Sequence, residues 1–346
     1  MKKLQNTLYV TSEGAWLRKD GKNVVVEVGG AERGRVPIHL LGQIVCFGQV
    51  AISPPLMSLC AESNVSIAFL SVYGRFLARV EGPQSGNVIL RRAQHVRTSS
   101  PVESLVVARA AVLAKTANQR GVIRRHLRDY GSQLSSTAIQ NIDRAQRDLS
   151  QSMRQIQSVP DIDTLRGQEG DAARTYYAVF DHLIRNKDPI FRFSKRIRRP
   201  PRDAINAILS FLYVLLAQDC RAACETSGLD PQMGFLHSDR PGRMSLALDL
   251  MEEFRAPIAD RVCLSLVNRR QLSSRDFRKE DTGAVFLTED GRTTVLKAWQ
   301  ERKRTTLRHA FLDETVPLGL MPQIQAQLLA RHLRGDLDGY PAYFWR

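Results

Sequence analysis

The chain has 346 residues, 43% of them hydrophobic and 25% charged, which is long and apolar enough for a sizeable core and excludes a disordered or collagen-like protein. Its 50 Lys and Arg exceed its 35 Asp and Glu, giving a net charge of +15. Such an excess predicts a polyanionic partner. A membrane surface is disfavoured because no basic amphipathic helix or lipidation motif is present.

The cysteines are odd in number, scattered and mostly set in apolar runs: Cys46, Cys60, Cys220, Cys224 and Cys263. That usage predicts a reducing, cytoplasmic location rather than a disulfide framework. Cys220 and Cys224 are four residues apart on a helix, but no second cysteine pair or nearby histidine completes a zinc site with them. The N-terminus turns polar too early for a signal peptide, and the apolar run 204–217 is too short to span a bilayer, so we expect a buried core helix there.

The first part of the chain alternates short apolar and polar runs separated by turn signals, which is typical of β-strands. Strands are predicted at 8–10, 15–18, 24–28, 43–47, 66–70 and 76–80. Asp20-Gly21 predicts a hairpin turn, and 53–64 a short helix opened by two prolines. Gly29, Gly30 and Gly34 are interpreted as turn residues, because no Gly-Lys-Ser/Thr follows them as in a phosphate-binding loop.

Residues 81–87 are rich in turn residues and precede a change of periodicity, so they mark a domain boundary. We predict an α+β fold of two domains. A small β-rich domain, residues 1–84, serves dimerisation or assembly, and a larger, mainly α-helical domain, residues 85–346, holds the chemistry. Helices are expected at 102–130, from a capping Ser136 to about 156, around Glu169, at 204–226, 245–254, 295–311 and 323–334, with a small hairpin at 284–296.

Glu169 falls on an apolar stripe of its predicted helix, together with Leu165 and Tyr176, where a core residue is expected. Gly167 and Gly170 each cost roughly 1 kcal/mol of helix propensity, which predicts a close approach by another group. A carboxylate set in an apolar stripe needs a partner, and a metal ion is one. Tyr176 and its neighbour Tyr177 are expected to pack rather than to act as nucleophiles.

A second acidic segment follows His237. Asp249 and Glu252 are three residues apart on a helix that we expect Ser245 to cap, so they share one face. A histidine and two carboxylates form a set that Mg²⁺ or Mn²⁺ accepts for phosphate chemistry. Periodicity does not choose between Glu252 and Glu253. The alternative is a solvated acidic face beside a core histidine.

The loop 191–202 combines six basic residues with two aromatic ones between prolines, which is typical of contact with a phosphate backbone. The alternative is a solvated connector. Two further arginines lie on the Glu169 helix. The predicted DNA-binding residues are Arg166, Arg174, Lys195, Arg196, Arg198, Arg199 and Arg202.

These three segments together resemble the CRISPR-associated adaptation endonuclease/integrase family, and the subtype I-C branch most. The resemblance runs from Leu8-Tyr9-Val10-Thr11 to Tyr340-Pro341-Ala342-Tyr343-Phe344-Trp345. It implies that Glu169, His237 and Glu252 are the catalytic metal ligands for Mg²⁺ or Mn²⁺, and that Asp249 is a supporting acidic residue. Glu253 departs from the family pattern, which often has proline there. The motif register selects Glu252 and predicts that replacing Glu253 has little effect.

In this family, double-stranded DNA fragments are inserted into the CRISPR repeat array by attack of fragment 3′-hydroxyls on repeat phosphodiesters. Two fragment ends require paired active sites, so the resemblance implies a homodimer with a small companion adaptation protein. One alternative is a metal-dependent nuclease on branched or single-stranded DNA acting in repair. Another is a nucleic-acid-binding scaffold without catalysis. This alternative is disfavoured because it gives the Glu169 carboxylate no role.

Overall fold

The structure, a computed structural model, describes residues 6–82, 88–198 and 200–345. The chain divides into two compact units, residues 1–86 and 87–346. The first unit is rich in β-strands and the second is mostly helical, which confirms the predicted α+β fold class. Arg199, a predicted DNA contact, lies outside the described residues.

The first unit contains two four-stranded sheets and one helix among its described residues. One sheet has the order β1-β5-β7-β8, with β1, β5 and β7 parallel; the other has the order β4-β3-β2-β6. Apolar side chains of both sheets and α1 form its buried core. The elements are β1 Asn6–Val10, β2 Trp16–Asp20, β3 Asn23–Val28, β4 Ala31–Pro37, β5 Leu41–Phe47, β6 Ala51–Ile52, α1 Pro54–Glu62, β7 Ser66–Leu70 and β8 Phe76–Val80.

The sequence missed β4 and β6. β4 is largely exposed and pairs only with β3, so it lacks the inward apolar alternation by which strands are recognised. The turn into it uses Gly29 and Gly30, at φ of +59° and +77°, in the left-handed region that glycine adopts without strain. Gly29 and Gly30 are therefore turn residues, as interpreted, whereas Gly34 lies within β4 and pairs with Val26. Gly21, at φ +59°, confirms the Asp20-Gly21 turn.

Nine α-helices dominate the described part of the second unit. Side chains of Ser100, Ser135, Asp161 and Asp203 accept hydrogen bonds from backbone N–H groups at the starts of α3, α4, α5 and α6, so the cap of α4 is Ser135 rather than Ser136. The helices are α2 Val88–Ser99, α3 Pro101–Tyr130, α4 Ser136–Gln157, α5 Ile162–Ala178, α6 Ala204–Thr226, α7 Ser245–Glu252, α8 Arg261–Asn268, α9 Glu289–Arg304 and α10 Met321–Arg334.

Helix α6 is the apolar centre of this unit and packs against α7 and α10. Its 23 residues make it long enough to span a membrane, unlike the shorter run read from the sequence, yet 72% of its most apolar window is buried inside the protein. Burial of this kind is typical of a core helix. The packing therefore agrees with the predicted buried helix, although the length alone would also suit a membrane span.

The predicted hairpin at 284–296 is wrong. β10 (Val285–Leu287) pairs antiparallel with β9 (Phe277–Lys279), and Glu289-Asp290-Gly291-Arg292 forms the first turn of α9. Thr288 caps that helix by accepting from the N–H of Gly291, so a sequence that looked like a turn is a helix start. Helix α9 also ends at Arg304, because β11 (Thr306–Arg308) follows and pairs with β12 (Thr315–Pro317).

Candidate active site

The candidate site forms where α3 packs against α5 and α7. Lys115, on α3, directs its ammonium group at Glu169 Oε1 of α5 and lies 2.6 Å from Glu252 Oε2 at the end of α7. The side chains of Lys115 and Glu252 are 3% and 2% exposed, and that of Glu169 is 23% exposed. Two carboxylates predicted to act together are therefore brought to one cationic nitrogen.

Glu252 also forms an ion pair with Arg255, whose Nη2 lies 3.0 Å from Glu252 Oε1. Burial raises the pKa of Glu252, but the charges of Arg255 and Lys115 outweigh it and lower that pKa to about 2. The carboxylate is therefore ionised at neutral pH, as a metal ligand must be.

Asp249 holds the segment that carries His237. Its Oδ2 accepts hydrogen bonds from the N–H groups of Phe235 (2.6 Å) and Leu236 (2.9 Å), and its Oδ1 accepts from the N–H of His237 at 3.0 Å. Gly234 permits this fold, because a Cβ there would lie 2.8 Å from Asp249 Oδ2 and 2.7 Å from Ser245 backbone. Asp249 is thus a positioning residue for the histidine loop.

The same carboxylate sets the tautomer of His237. Asp249 Oδ1 lies 2.6 Å from His237 Nδ1. Since a carboxylate can only accept, Nδ1 carries the proton, and the Nε2 atom of a neutral ring keeps its lone pair. A carboxylate behind an imidazole is the common arrangement of a metal-binding histidine.

Ser245, predicted as the cap of α7, is its first residue; the cap position is Met244, which makes no side-chain capping bond. The backbone N–H groups of Leu246 and Ala247 instead donate to the carbonyl of Pro231, at 3.0 and 3.3 Å. The start of the helix is therefore fixed by the preceding loop.

Glu253 lies in a different environment from Glu252. It accepts hydrogen bonds from the Tyr340 hydroxyl, the Tyr343 N–H at 2.6 Å and Gln325 Nε2 at 3.0 Å, all near the end of the chain. Burial raises its pKa to about 7, against these hydrogen bonds. The geometry therefore separates the two neighbours that periodicity left open: Glu252 faces Glu169, and Glu253 anchors the C-terminal segment.

Across the ranges 6–82, 88–198 and 200–345, no three His, Cys, Asp or Glu side chains converge as a ready metal cluster. Instead the ammonium of Lys115 lies between the Glu169 and Glu252 carboxylates, and His237 contacts Asp249. Two carboxylate oxygens around one cationic atom also suit a hard divalent cation. The side chains therefore fit such an ion, provided that Lys115 moves aside.

Two details of α5 correct the sequence interpretation. Glu169 lies at the edge of the buried stripe of Leu165, Ala172 and Tyr176 rather than within it. A Cβ added at Gly167 or Gly170 would meet no described atom within 4 Å apart from its chain neighbours and the backbone of its own helix, so the predicted close approach of another group is absent. Helix α5 therefore presents an open face beside Glu169.

Lys115 and Arg255 were not predicted as site residues. A signal was available for Lys115, which is the single charged residue of the run Ala110-Ala111-Val112-Leu113-Ala114-Lys115-Thr116-Ala117. A lysine is almost never fully buried unless it is paired, so its place in that run pointed to a buried carboxylate.

The predicted phosphate-binding loop has two kinds of basic residue. Arg196 turns inward and donates to Asn206 Oδ1 at 2.7 Å and to Ser210 Oγ at 3.0 Å, so its predicted DNA contact is replaced by a structural role. Lys195 and Arg198 are exposed. Arg202 is exposed as well and donates to the carbonyl of Thr282 at 2.8 Å.

The two aromatic residues of that loop, Phe191 and Phe193, are 1% and 5% exposed and pack in the core, so they cannot stack on bases. Of the predicted arginines on α5, Arg166 donates to the carbonyl of Leu236 at 2.8 Å, which links α5 to the histidine loop. Arg174 is 80% exposed and pairs with Asp171.

A second basic surface lies between α3 and α4, around a cavity of about 530 Å³. We call it the arginine groove; it is lined by Arg120, Asp143, Gln146, Arg147, Ser150, Gln151 and Arg154. Its excess of cationic side chains makes it another surface that can face a polyanion.

Tyr176 is buried and Tyr177 is half-buried, and both pack as predicted. The Tyr176 hydroxyl donates to Asp260 Oδ2 at 3.0 Å, and the Tyr177 hydroxyl lies 2.6 Å from that of Tyr213. Burial raises the pKa of Tyr176 well above its usual value, which is unfavourable for a nucleophile.

Comparisons with known proteins relate the sequence of this chain to a family. The family model described as CRISPR associated protein Cas1 matches residues 8–301. A protein of Rhodospirillum rubrum named CRISPR-associated endonuclease Cas1 2 is 54% identical over 347 residues, covering 100% of both chains.

Two solved structures share the fold at low sequence identity. A casposase bound to integration product is 20% identical, with a TM-score of 0.83, and covers 97% of this chain and 93% of that chain. A chain of a Cas6-RT-Cas1–Cas2 complex is also 20% identical, with a TM-score of 0.82, and covers 99% of this chain and 36% of that one. With the family match over most of its length and a relative that is more than half identical, the chain belongs to the Cas1 family of CRISPR-associated endonucleases.

Proposed function

We propose that this chain is a metal-dependent DNA endonuclease/integrase of CRISPR adaptation, which inserts new spacers into the repeat array. The observation that carries the proposal is the meeting of Glu169 and Glu252, from separate helices, at one cationic nitrogen, beside a histidine whose tautomer Asp249 fixes. Membership of the Cas1 family supports it.

In this proposal Glu169, Glu252 and His237 Nε2 hold Mg²⁺ or Mn²⁺. The ion supplies Lewis acidity, which polarises a phosphodiester oxygen and offsets the charge that develops on it. Asp249 keeps His237 in position, and Arg166 ties α5 to the same loop through Leu236. The attacking group is the 3′-hydroxyl of the DNA fragment, so no covalent protein intermediate is required.

The proposed partners are double-stranded DNA, a second copy of the chain and a small companion adaptation protein. A homodimer provides two active sites for the two ends of one fragment. The likeness of this fold to a chain described in a complex of Cas1 with Cas2 supports the companion. We also assign the chain to a subtype I-C system on its sequence resemblance, and the genes beside it test that assignment.

The decisive experiment incubates the protein and its companion with a labelled duplex and a supercoiled plasmid carrying the repeat array. We expect labelled plasmid only with Mg²⁺ or Mn²⁺, and little with a plasmid lacking the repeat. Cleavage of branched or single-stranded DNA without joining to the plasmid would favour the repair nuclease. Binding without any metal-dependent product would favour the scaffold.

The exposed part of the basic loop allows a separate test of DNA binding. Replacing Lys195 and Arg198 together by Ala should weaken binding to duplexes of unrelated sequence alike, since phosphate contacts do not read bases. Each lost contact should flatten the slope of log affinity against log salt by roughly 0.9, or about 1.8 for the pair. Strand transfer at saturating DNA should recover much of its rate. A salt titration and single-turnover rates measure both effects.

The matched control is Arg147→Ala with Arg154→Ala, which removes the same charge from the arginine groove. An unchanged slope in the loop variant would show that the loop is a solvated connector. A flattened slope in the groove variant alone would move the DNA contact to that groove.

A further inference from the structure

Lys115, in the middle of α3, occupies the position between Glu169 and Glu252 that a bound metal ion would need. Lys115 is 3% exposed, and its ammonium contacts a carboxylate oxygen of both Glu169 and Glu252. Lysine is a compact charge on a flexible stem, so its ammonium can leave such a place without movement of the helix. The neighbouring Arg255 has a planar guanidinium 3.0 Å from Glu252 Oε1 and stacks 5.1 Å from the ring of Tyr213, which restricts it more.

The contact with Glu252 is a short, buried ion pair. Lys115 Nζ is 2.6 Å from Glu252 Oε2, and no other donor satisfies that oxygen in the described structure. A carboxylate oxygen whose neighbour is an ammonium on a flexible stem can exchange that ammonium for a divalent cation.

Charge balance makes the two cations exclusive. Glu169 and Glu252 are offset by Lys115 and Arg255, so the pair of carboxylates is already neutralised. A divalent ion added between them would meet the Lys115 ammonium at short range in a poorly solvated site, where repulsion is strong.

We propose that Lys115 is a tethered counter-cation: it holds Glu169 and Glu252 together in the metal-free protein, and a divalent cation binds by displacing its ammonium. The proposal rests on the proposed metal site. The displaced ammonium is a charge that has lost its two carboxylate partners. A phosphate of DNA bound beside the site can replace them as its partner. Metal and DNA binding are then coupled positively through Lys115, and by linkage the coupling is reciprocal.

Manganese binding by the full-length chain tests the displacement. Removing the ammonium with Lys115→Met should raise the affinity for Mn²⁺, measured by calorimetry without DNA, by about tenfold, within the usual range of coupling between sites. The variant should also unfold at a lower temperature without metal and gain more from saturating Mn²⁺ than the wild type does. Lys115→Arg, which keeps the charge, should bind Mn²⁺ no more tightly than the wild type.

The matched control is Lys303→Met, because Lys303 is another buried lysine, paired with Asp219 at 2.8 Å between α9 and α6. It should lower stability without changing the affinity for Mn²⁺. Equal Mn²⁺ affinity in Lys115→Met and wild type would overturn the proposal. If the wild type bound no Mn²⁺ at all, the metal site itself, and with it the proposed function, would fail instead.

A measurement on the wild type covers the case in which Lys115→Met does not fold. Acetylation of lysines by a water-soluble reagent, read by mass spectrometry, should modify Lys115 slowly without metal and several times faster with saturating Mn²⁺, while Lys303 stays unchanged. A duplex added with Mn²⁺ should protect Lys115 again. Modification of Lys115 that does not respond to Mn²⁺ would contradict displacement.

Discussion

The Glu252→Gln protein is expected to lose at least about 100-fold in strand transfer, because partners that only support a metal ligand already cost 10–100-fold when removed. The substitution keeps the shape of the side chain and removes a carboxylate whose pKa the surrounding cations lower to about 2. Affinity for duplex DNA should change little, since basic side chains supply most of it. Single-turnover integration and a binding isotherm measure the two quantities.

The same separation of chemistry from binding should hold for Glu169→Gln and His237→Ala. Asp249→Asn is expected to be milder, with a loss of 10–100-fold in strand transfer, because it replaces one of the two oxygens that hold the His237 loop by an amide NH₂ and removes no proposed ligand. Either His237 or the N–H groups of Phe235 and Leu236 then lose their acceptor, so some loss of stability should accompany it.

Stability is the main confounding factor for Glu252. Breaking a buried ion pair costs roughly 3–5 kcal/mol, and Lys115 and Arg255 would both lose a partner. Rates should therefore be compared well below the unfolding temperature of each variant. Glu103→Gln, an exposed change on α3, is the matched control and should be silent. Near-normal metal-dependent transfer by Glu252→Gln would remove that residue from the site.

The sequence predicted the fold class because its strongest signals are the apolar runs of the largely buried β5 and α6 and the helical periodicity of α4, which buries one face. It failed where local signals were ambiguous. β4 is an exposed strand without apolar alternation, and the Glu289-Asp290-Gly291-Arg292 segment has the composition of a turn but follows a capping threonine. In both places the outcome depends on tertiary neighbours that a short window does not contain.

The site shows a similar division. Motif spacing predicted Glu169, His237, Asp249 and Glu252 as site residues. In the structure, Glu169 and Glu252 each contact Lys115, and His237 contacts Asp249. Motif spacing did not predict Lys115, because this residue lies on another helix, 54 residues before Glu169, and belongs to no recognisable motif. Pairing across such a distance follows from helix packing, and spacing along the chain does not encode it.

Glu253 has a structural role that the sequence did not predict, since the motif register indicated only that its replacement has little effect on the chemistry. Its carboxylate joins α10 to the C-terminal segment by accepting from Gln325, Tyr340 and Tyr343. The segment is further held by Asn118, whose Nδ2 donates to the carbonyls of Glu253 (2.8 Å) and Tyr343 (2.9 Å). Glu253 is therefore the centre of a buried polar network rather than a spare acidic residue.

Glu253→Ala is expected to destabilise the protein by about 3 kcal/mol or more, because three buried donors lose their acceptor at roughly 1–3 kcal/mol each and such losses are not fully additive. For a unit of this size that corresponds to a fall of roughly 6–12 °C in Tm. Glu253→Gln should lose less, since it keeps one acceptor oxygen in the same shape. At low temperature both variants should retain strand transfer, because Glu252 faces the opposite side of the turn.

Calorimetry and single-turnover assays at 15–20 °C below each Tm separate the two effects. A Tm within about 2 °C of wild type for Glu253→Ala would show that the network does not hold the C-terminal segment, whereas loss of transfer in a stable Glu253→Gln protein would bring Glu253 back into the site.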